Sequence, residues 1–538
     1  MTSAASKQWL LAYNQISHAA VLSLVGLMLA WLVVVACRDP APEGTNAIPL
    51  QRRLWLGMRQ HPVVTALFAA YTLAMLHGTS WFYPEFPDLY QGIIHSPLID
   101  NFQLQERFIA ETMQRNSFRF FPLAHQDLHA LSWFTPYVKV WMLVSAAQLI
   151  TIVVLSTRIV QTLAGPPERP GLLLLMALMF LFIPATGWGF FQLIYCERLL
   201  TFLLAGYAYF FLSYQETGRR RHGALTLAFG LVAVFVKDIA VLLIVTPALL
   251  RWLTVAETRR WRSVETGLIA LLPLVGVAYG ILSFVPSVIA EATPFSSDGQ
   301  WTLEADWRLL ILVGFSAFRL EAIIRRRQRS TLLDGLNLAS IFYALALWAS
   351  VGYPYASFWT LPVQLVTVMD LGFIWCRGIA PHLRRRWGAA TVTGVGEASS
   401  LMLLGLEHRA PDSFIERVSR IKATQSRWEQ TFTTMTDLVR QTRERGEAVN
   451  VIFMRSYFNQ HTLQSLKADR LIEYHRQRET FRVVEGRHKG KAYQPQSGDF
   501  LLIIDKRQRQ DLGQSGEAFE EIARHGNSKR GGRIFRHR

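Results

Sequence analysis

Apolar runs of about the length that crosses a bilayer recur along the first 375 residues of this 538-residue chain. A helix rises about 1.5 Å per residue, so about 20 apolar residues span about 30 Å of hydrocarbon. The runs fall at 16–37, 62–82, 136–157, 171–190, 198–215, 223–236, 239–253, 265–289, 309–324, 333–352 and 359–376. This spacing predicts an all-α polytopic membrane protein of about 11–12 transmembrane helices over residues 1–387. Run 16–37 has few charges before it and no A-x-A site after it, so it reads as a retained helix and not a cleaved signal.

Composition agrees. Charged residues are 18% of the chain, where a soluble domain carries about 25%. The net charge of +17 would suit nucleic acid if it were gathered in one domain. Here Lys and Arg are spread between apolar runs, the pattern of cytoplasmic loops that hold topology, and no nucleic-acid partner is expected. Cys37, Cys196 and Cys376 lie far apart and make neither a disulfide framework nor a metal spacing.

The loops are of two kinds. Arg52, Arg53, Arg59, Arg158, Arg169, Arg219–Arg221, Arg259, Arg260, Arg262, Arg325–Arg327, Arg377 and Arg384–Arg386 mark one side as cytoplasmic. Loops 83–135, 191–197, 290–308 and 353–358 then face outward. Basic flanks on both sides of 223–253 require the chain to go out and back, turning at Lys237-Asp238; the alternative is a single tilted helix with a buried ion pair. Residues 388–406 are long enough for one final span, and whether they cross sets the side of everything after them.

Residues 407–520 read as a small soluble α/β domain. A helix is expected over 411–445, ending at Gly446, then a buried strand in "AVNVIFM". A second helix is expected over 461–478, followed by strands in "TFRVVEG" and "DFLLIID". Residues 521–538, ending in "GNSKRGGRIFRHR", are basic and Gly-rich and are expected to form a flexible tail.

The polar residues that could do chemistry gather on the outward side. The loop 83–135 carries Glu85, Asp88, Asp100 and Glu106, an amphipathic stretch over 100–116, and then Arg119, His125, Asp127 and His129 among aromatics. Glu197-Arg198, Lys237-Asp238 and the set Trp301, Glu304, Asp306 and Arg308 fall on the same side. A charge inside the hydrocarbon is expensive and is usually paired or functional. Acids, Arg and Lys at one depth suit a substrate that is part lipid and part anion, such as a phospholipid-linked sugar. His125 and His129 share a helical face but lack a zincin pattern. No metal ligand set and no certain cofactor is written in the sequence; a divalent cation, Mg or Mn, held by carboxylates and a phosphate is the one that hard oxygen ligands would suit.

This layout resembles the GT-C superfamily of integral membrane glycosyltransferases over about residues 55–375, in the early loop with acids near its start and in the later "ER" and "KD" pairs. The resemblance implies a polyprenyl-phosphate-linked sugar donor, a glycan or lipid acceptor of the cell envelope, and transfer on the external (periplasmic) face of a bacterial inner membrane. It makes Asp88 the first choice and Glu85 the second for the catalytic carboxylate. It places Lys237, with Arg198 and Arg119, at the donor phosphate, with Glu197, Asp238, Asp127 and His125 in support. Two features depart from the family: an extra span (16–37) comes first, and Phe86-Pro87 separates Glu85 from Asp88. A single base with no covalent intermediate implies inversion at the anomeric carbon. An O-antigen polymerase or ligase would carry its large external loop late in the chain, and a transporter would carry its charges near the midplane.

Overall fold

The chain is described from a computed structural model over residues 4–39, 50–80, 118–166, 171–254, 262–292, 306–326, 328–409, 412–454, 463–475, 480–503, 517–526 and 532–538. It divides into a helical unit, Met1–Met75, Ile99–Ala130 and Leu143–Arg417, and a second unit, Leu76–Leu98, Leu131–Met142 and Val418–Arg538.

Among the described residues, five helices are long and apolar enough to cross a membrane: Ala12–Arg38, Val138–Ala164, Ser263–Ile289, Leu332–Val351 and Phe358–Gly388. The run expected as one span over 171–190 is instead two helices, Leu172–Leu181 and Pro184–Phe191, bent by 73°. Proline explains the break: Pro184 has no N–H for the helix before it and starts a new helix with its φ already set. The helices Pro62–Leu76 and Ala240–Thr254 are apolar but shorter.

The break expected at Lys237-Asp238 is present. The Arg220–Val236 helix stops, Lys237 is extended (φ −154, ψ 138), and the next helix begins at Ala240. The two helices fold back on each other. Gly230 and Ile244, equally far from Lys237 in sequence, meet so closely that a Cβ on Gly230 would lie 3.1 Å from Ile244 Cγ2. A single continuous helix is therefore excluded.

Polar side chains also join helices inside this unit. Asn337 donates to Asp370 at 2.8 Å between two buried helix faces. Arg319 holds Asp334 through two bonds of 2.8 Å, and Asp334 closes a capping box with Thr331 at the start of the Leu332–Val351 helix.

The second unit holds a seven-stranded mixed sheet. Its strands are β1 (Asn450–Met454), β2 (Arg470–His475), β3 (Thr480–Gly486), β4 (Ala492–Tyr493), β5 (Phe500–Ile503), β6 (Phe519–His525) and β7 (Gly532–His537), in the order β4-β3-β2-β1-β5-β7-β6. The central strand β1 is parallel to β2 and β5 and buried throughout, so it reads as an unbroken apolar run. The Phe414–Glu444 helix leads into this unit and, as expected, ends just before Gly446, which takes a left-handed φ of 74. Trp428, Met435 and Val439 of that helix pack with Val451, Phe453, Leu502 and Ile534.

Two expectations for this unit are corrected. The helix over 461–478 does not form as such: 470–475 is strand β2, because Leu471, Ile472 and Tyr474 are buried when "RLIEY" pairs with β1. The tail over 521–538 is not a loose end. Most of strand β6 and all of β7 lie within it, and Ile534 and Phe535 are buried in the two layers on either side of the sheet. The sheet domain therefore reaches the last residues of the chain.

Candidate functional site

The segment after residue 117 is fixed by its backbone to the helix hairpin and to the Ser263–Ile289 helix. Leu123 N donates to Phe235 O at 2.9 Å, and Phe118 N donates to Ser287 Oγ at 3.0 Å. Phe120 packs against Phe235 and Tyr279, with ring centroids 5.8 and 5.9 Å apart. Phe118 holds a left-handed φ of 61, a conformation that a bulky side chain adopts only when its surroundings impose it. The turn directs Arg119 to Asp238, with Nε 2.9 Å from Oδ2.

Lys237 leaves the hairpin in the other direction. Its side chain is buried, donates to the buried Glu197 carboxylate, and lies 4.8 Å from the centroid of the Trp359 ring. Glu197 is in the first turn of the Cys196–Thr217 helix, where a carboxylate suits the positive helix end. Arg198, the next residue, points elsewhere: it donates to Asp127 and to Gln148 and is itself buried. His125 sits beside this second cluster, and burial pushes its imidazole down to about 4.

Arg119, Lys237 and Asp238 line a cavity of about 430 Å³. Tyr353 and Trp359 add aromatic surface, and Tyr353 stacks on Trp359 with centroids 4.8 Å apart. Most of the remaining lining is apolar: Leu272 and Val275 come from one membrane-length helix, Leu347 and Val351 from another. A volume of this size matches an ordinary small-molecule site. The lining thus combines charged and hydrogen-bonding groups with hydrocarbon.

Of the residues expected at a site, the structure brings Arg119, Lys237 and Asp238 to one cavity, with Glu197 directly behind Lys237. Arg198, which is buried, and the partly buried Asp127 and His125 form a neighbouring cluster and do not line the cavity. Asp306 and Arg308 bond to each other at 2.7 Å, also away from it. Glu85, Asp88, Trp301 and Glu304 lie outside the described residues. Among the described residues no three His, Cys, Asp or Glu side chains converge as a metal site.

Sequence reasoning missed Trp359, Tyr353, Tyr279 and Gln148. The density of rings in "YPYASFW" (353–359) was the available signal for the first two. The chain matches no protein-family model, and no characterised protein matches it in sequence.

Proposed function

We propose that the chain is an integral membrane glycosyltransferase of the GT-C kind, moving a sugar from a polyprenyl-phosphate carrier to a glycan or lipid acceptor of the cell envelope on the external face of a bacterial inner membrane. One observation carries the reading: the same cavity is lined by charged groups, Arg119, Lys237 and Asp238, and by apolar side chains of two membrane-length helices. A carrier lipid with a phosphate head has that same combination.

The chemistry follows from the groups present. Arg119 lies at the cavity wall beside Asp238, and its planar guanidinium has the geometry that pairs with two phosphate oxygens. Lys237, neutralised by Glu197, orients the cavity wall and holds Trp359 in place. A carboxylate of the early loop, Asp88 before Glu85, takes the proton of the acceptor hydroxyl as its oxygen bonds to the anomeric carbon. The bond from that carbon to the carrier phosphate breaks, the electron pair leaves with the phosphate, and Arg119 stabilises the charge that develops there. Attack from the face opposite the phosphate inverts the anomeric centre.

Binding of a synthetic polyprenyl phosphate to the purified protein in lipid nanodiscs tests the site, with Arg119→Gln as the comparison. Saturable binding weakened by Arg119→Gln supports the reading; equal binding by both proteins, or none, overturns this placement of the donor. A second reading, a membrane transporter, is favoured by the buried Asn337–Asp370 pair and by the 73° break after Leu181, since transporters build sites from broken helices and buried acids.

A further inference from the structure

The Ala380–Arg409 helix is interrupted at Gly388, whose φ of 85 and ψ of 174 reverse the chain. Beyond it, residues 389–409 run back along the Leu361–Ile374 helix. Gly396 faces Trp375 so closely that a Cβ would lie 2.7 Å from the ring. Further on, Leu403 and Leu404 share a hollow with Val368 and Leu371. At the end of the run Glu407 meets Arg308 at 3.3 Å and accepts from Trp307 Nε1 at 3.3 Å. The order of these contacts is antiparallel. From Ala389 to Glu407 the helix is about 28 Å long, close to the thickness of the hydrocarbon.

Within 389–406 the only charged side chain is Glu397, which is exposed, and the run otherwise includes Val392, Val395 and four leucines. Leu401, Met402 and Leu406 point outward and exposed, as lipid-facing residues would. Exposed Arg384, Arg385 and Arg386 precede the reversal, a cluster that holds its end of a crossing in the cytoplasm.

The far end is the cavity end. Just past residue 409, Phe414 packs on Tyr71 and Phe191, and Arg417 lies 5.4 Å from the Trp188 ring. Trp188 stacks on Phe358 at 5.6 Å, Phe358 meets Trp359 at 4.4 Å, and Trp359 lies under Lys237. A continuous line of ring contacts thus runs from Arg417 to the cavity, all within the helical unit.

We infer that residues 389–409 are a further membrane crossing, and that it delivers the C-terminal sheet domain to the same side of the membrane as the Arg119–Lys237 cavity. The inference is independent of the reaction catalysed. A domain on that side meets acceptors and partners that approach the cavity, and none that stay with the Arg384–Arg386 end.

Cysteine accessibility in right-side-out vesicles tests this, in the full chain with Cys37, Cys196 and Cys376 replaced by serine. Three exposed positions are compared with a membrane-impermeant maleimide. Glu291→Cys reports the cavity end, since the same helical segment carries the Ser287 that bonds Phe118; Arg385→Cys reports the opposite end; Glu444→Cys reports the domain. Glu444→Cys is expected to label as Glu291→Cys does and opposite to Arg385→Cys. Labelling of Glu444→Cys with Arg385→Cys overturns the inference, and so does equal labelling of all three.

Discussion

Lys237 donates to Glu197 across forty positions of sequence, and both side chains are buried. The pair ties the turn of one helix hairpin to the first turn of another helix, next to the cavity. Removing one partner of a buried pair leaves a lone charge and costs about 3–5 kcal/mol, whereas replacing both leaves none. Glu197→Gln and Lys237→Met should each lower the thermal unfolding midpoint of the detergent-solubilised protein sharply. The double variant should be more stable than either single one. Additive losses in the double variant would contradict a mutually compensating pair.

The Arg119–Asp238 pair differs because it is partly exposed, at 17% and 24%, and lines the cavity. Pairs of this kind contribute about 0–1 kcal/mol to stability. Asp238→Asn should therefore leave the unfolding midpoint nearly unchanged. It should tighten binding of a polyprenyl phosphate, because the anion that competes for Arg119 is gone; a tenfold change is about 1.4 kcal/mol. Weaker binding in Asp238→Asn would contradict a phosphate at Arg119.

His125 sets a pH dependence. Burial holds its folded-state pKa at about 4, below the ordinary 6.5. The unfolded chain therefore binds the proton more readily between those values, and stability from this group is complete above 6.5 and is lost as pH falls toward about 4. Thermal unfolding of wild type and His125→Gln across that window should show the wild type losing stability more steeply on acidification. Parallel profiles would contradict a neutral, partly buried His125.

Gly335 faces backbone: a Cβ there would lie 2.8 Å from the Pro247 Cα, and backbone cannot rotate away. Gly335→Ala should destabilise by about 1–3 kcal/mol, the usual range for overpacking. Gly314, in another helix, has nothing within 4 Å, so Gly314→Ala should be neutral or stabilising by up to about 1 kcal/mol. Measured unfolding midpoints that do not separate the two variants would contradict this close helix approach.

The helical unit was legible because length and apolarity alone mark such helices, and the basic flanks of 223–253 demanded the break found at Lys237. What composition could not show was the partner of each charge. Arg198 and Lys237 look alike in sequence, yet one turns to Asp127 and Gln148 and the other to the cavity, a difference set by helix phase and by contacts distant in the chain. The C-terminal strands were less legible. "RLIEYH" (470–475) fits a helix locally and becomes a strand only because β1 offers a parallel edge, and "GRIFRH" (532–537) hides two core residues in a basic, Gly-rich run. Local pattern there was overridden by pairing with strands far away in sequence.

The most direct measurement of the central claim is sugar transfer from synthetic polyprenyl-phosphate donors by the purified protein, wild type beside Asp88→Asn, Glu85→Gln and Arg119→Gln. The account predicts an inverted product from the wild type. It predicts loss of turnover with donor binding kept in Asp88→Asn, and weakened donor binding in Arg119→Gln. No transfer from any lipid-linked sugar to any envelope acceptor, together with unchanged binding in Arg119→Gln, would contradict it.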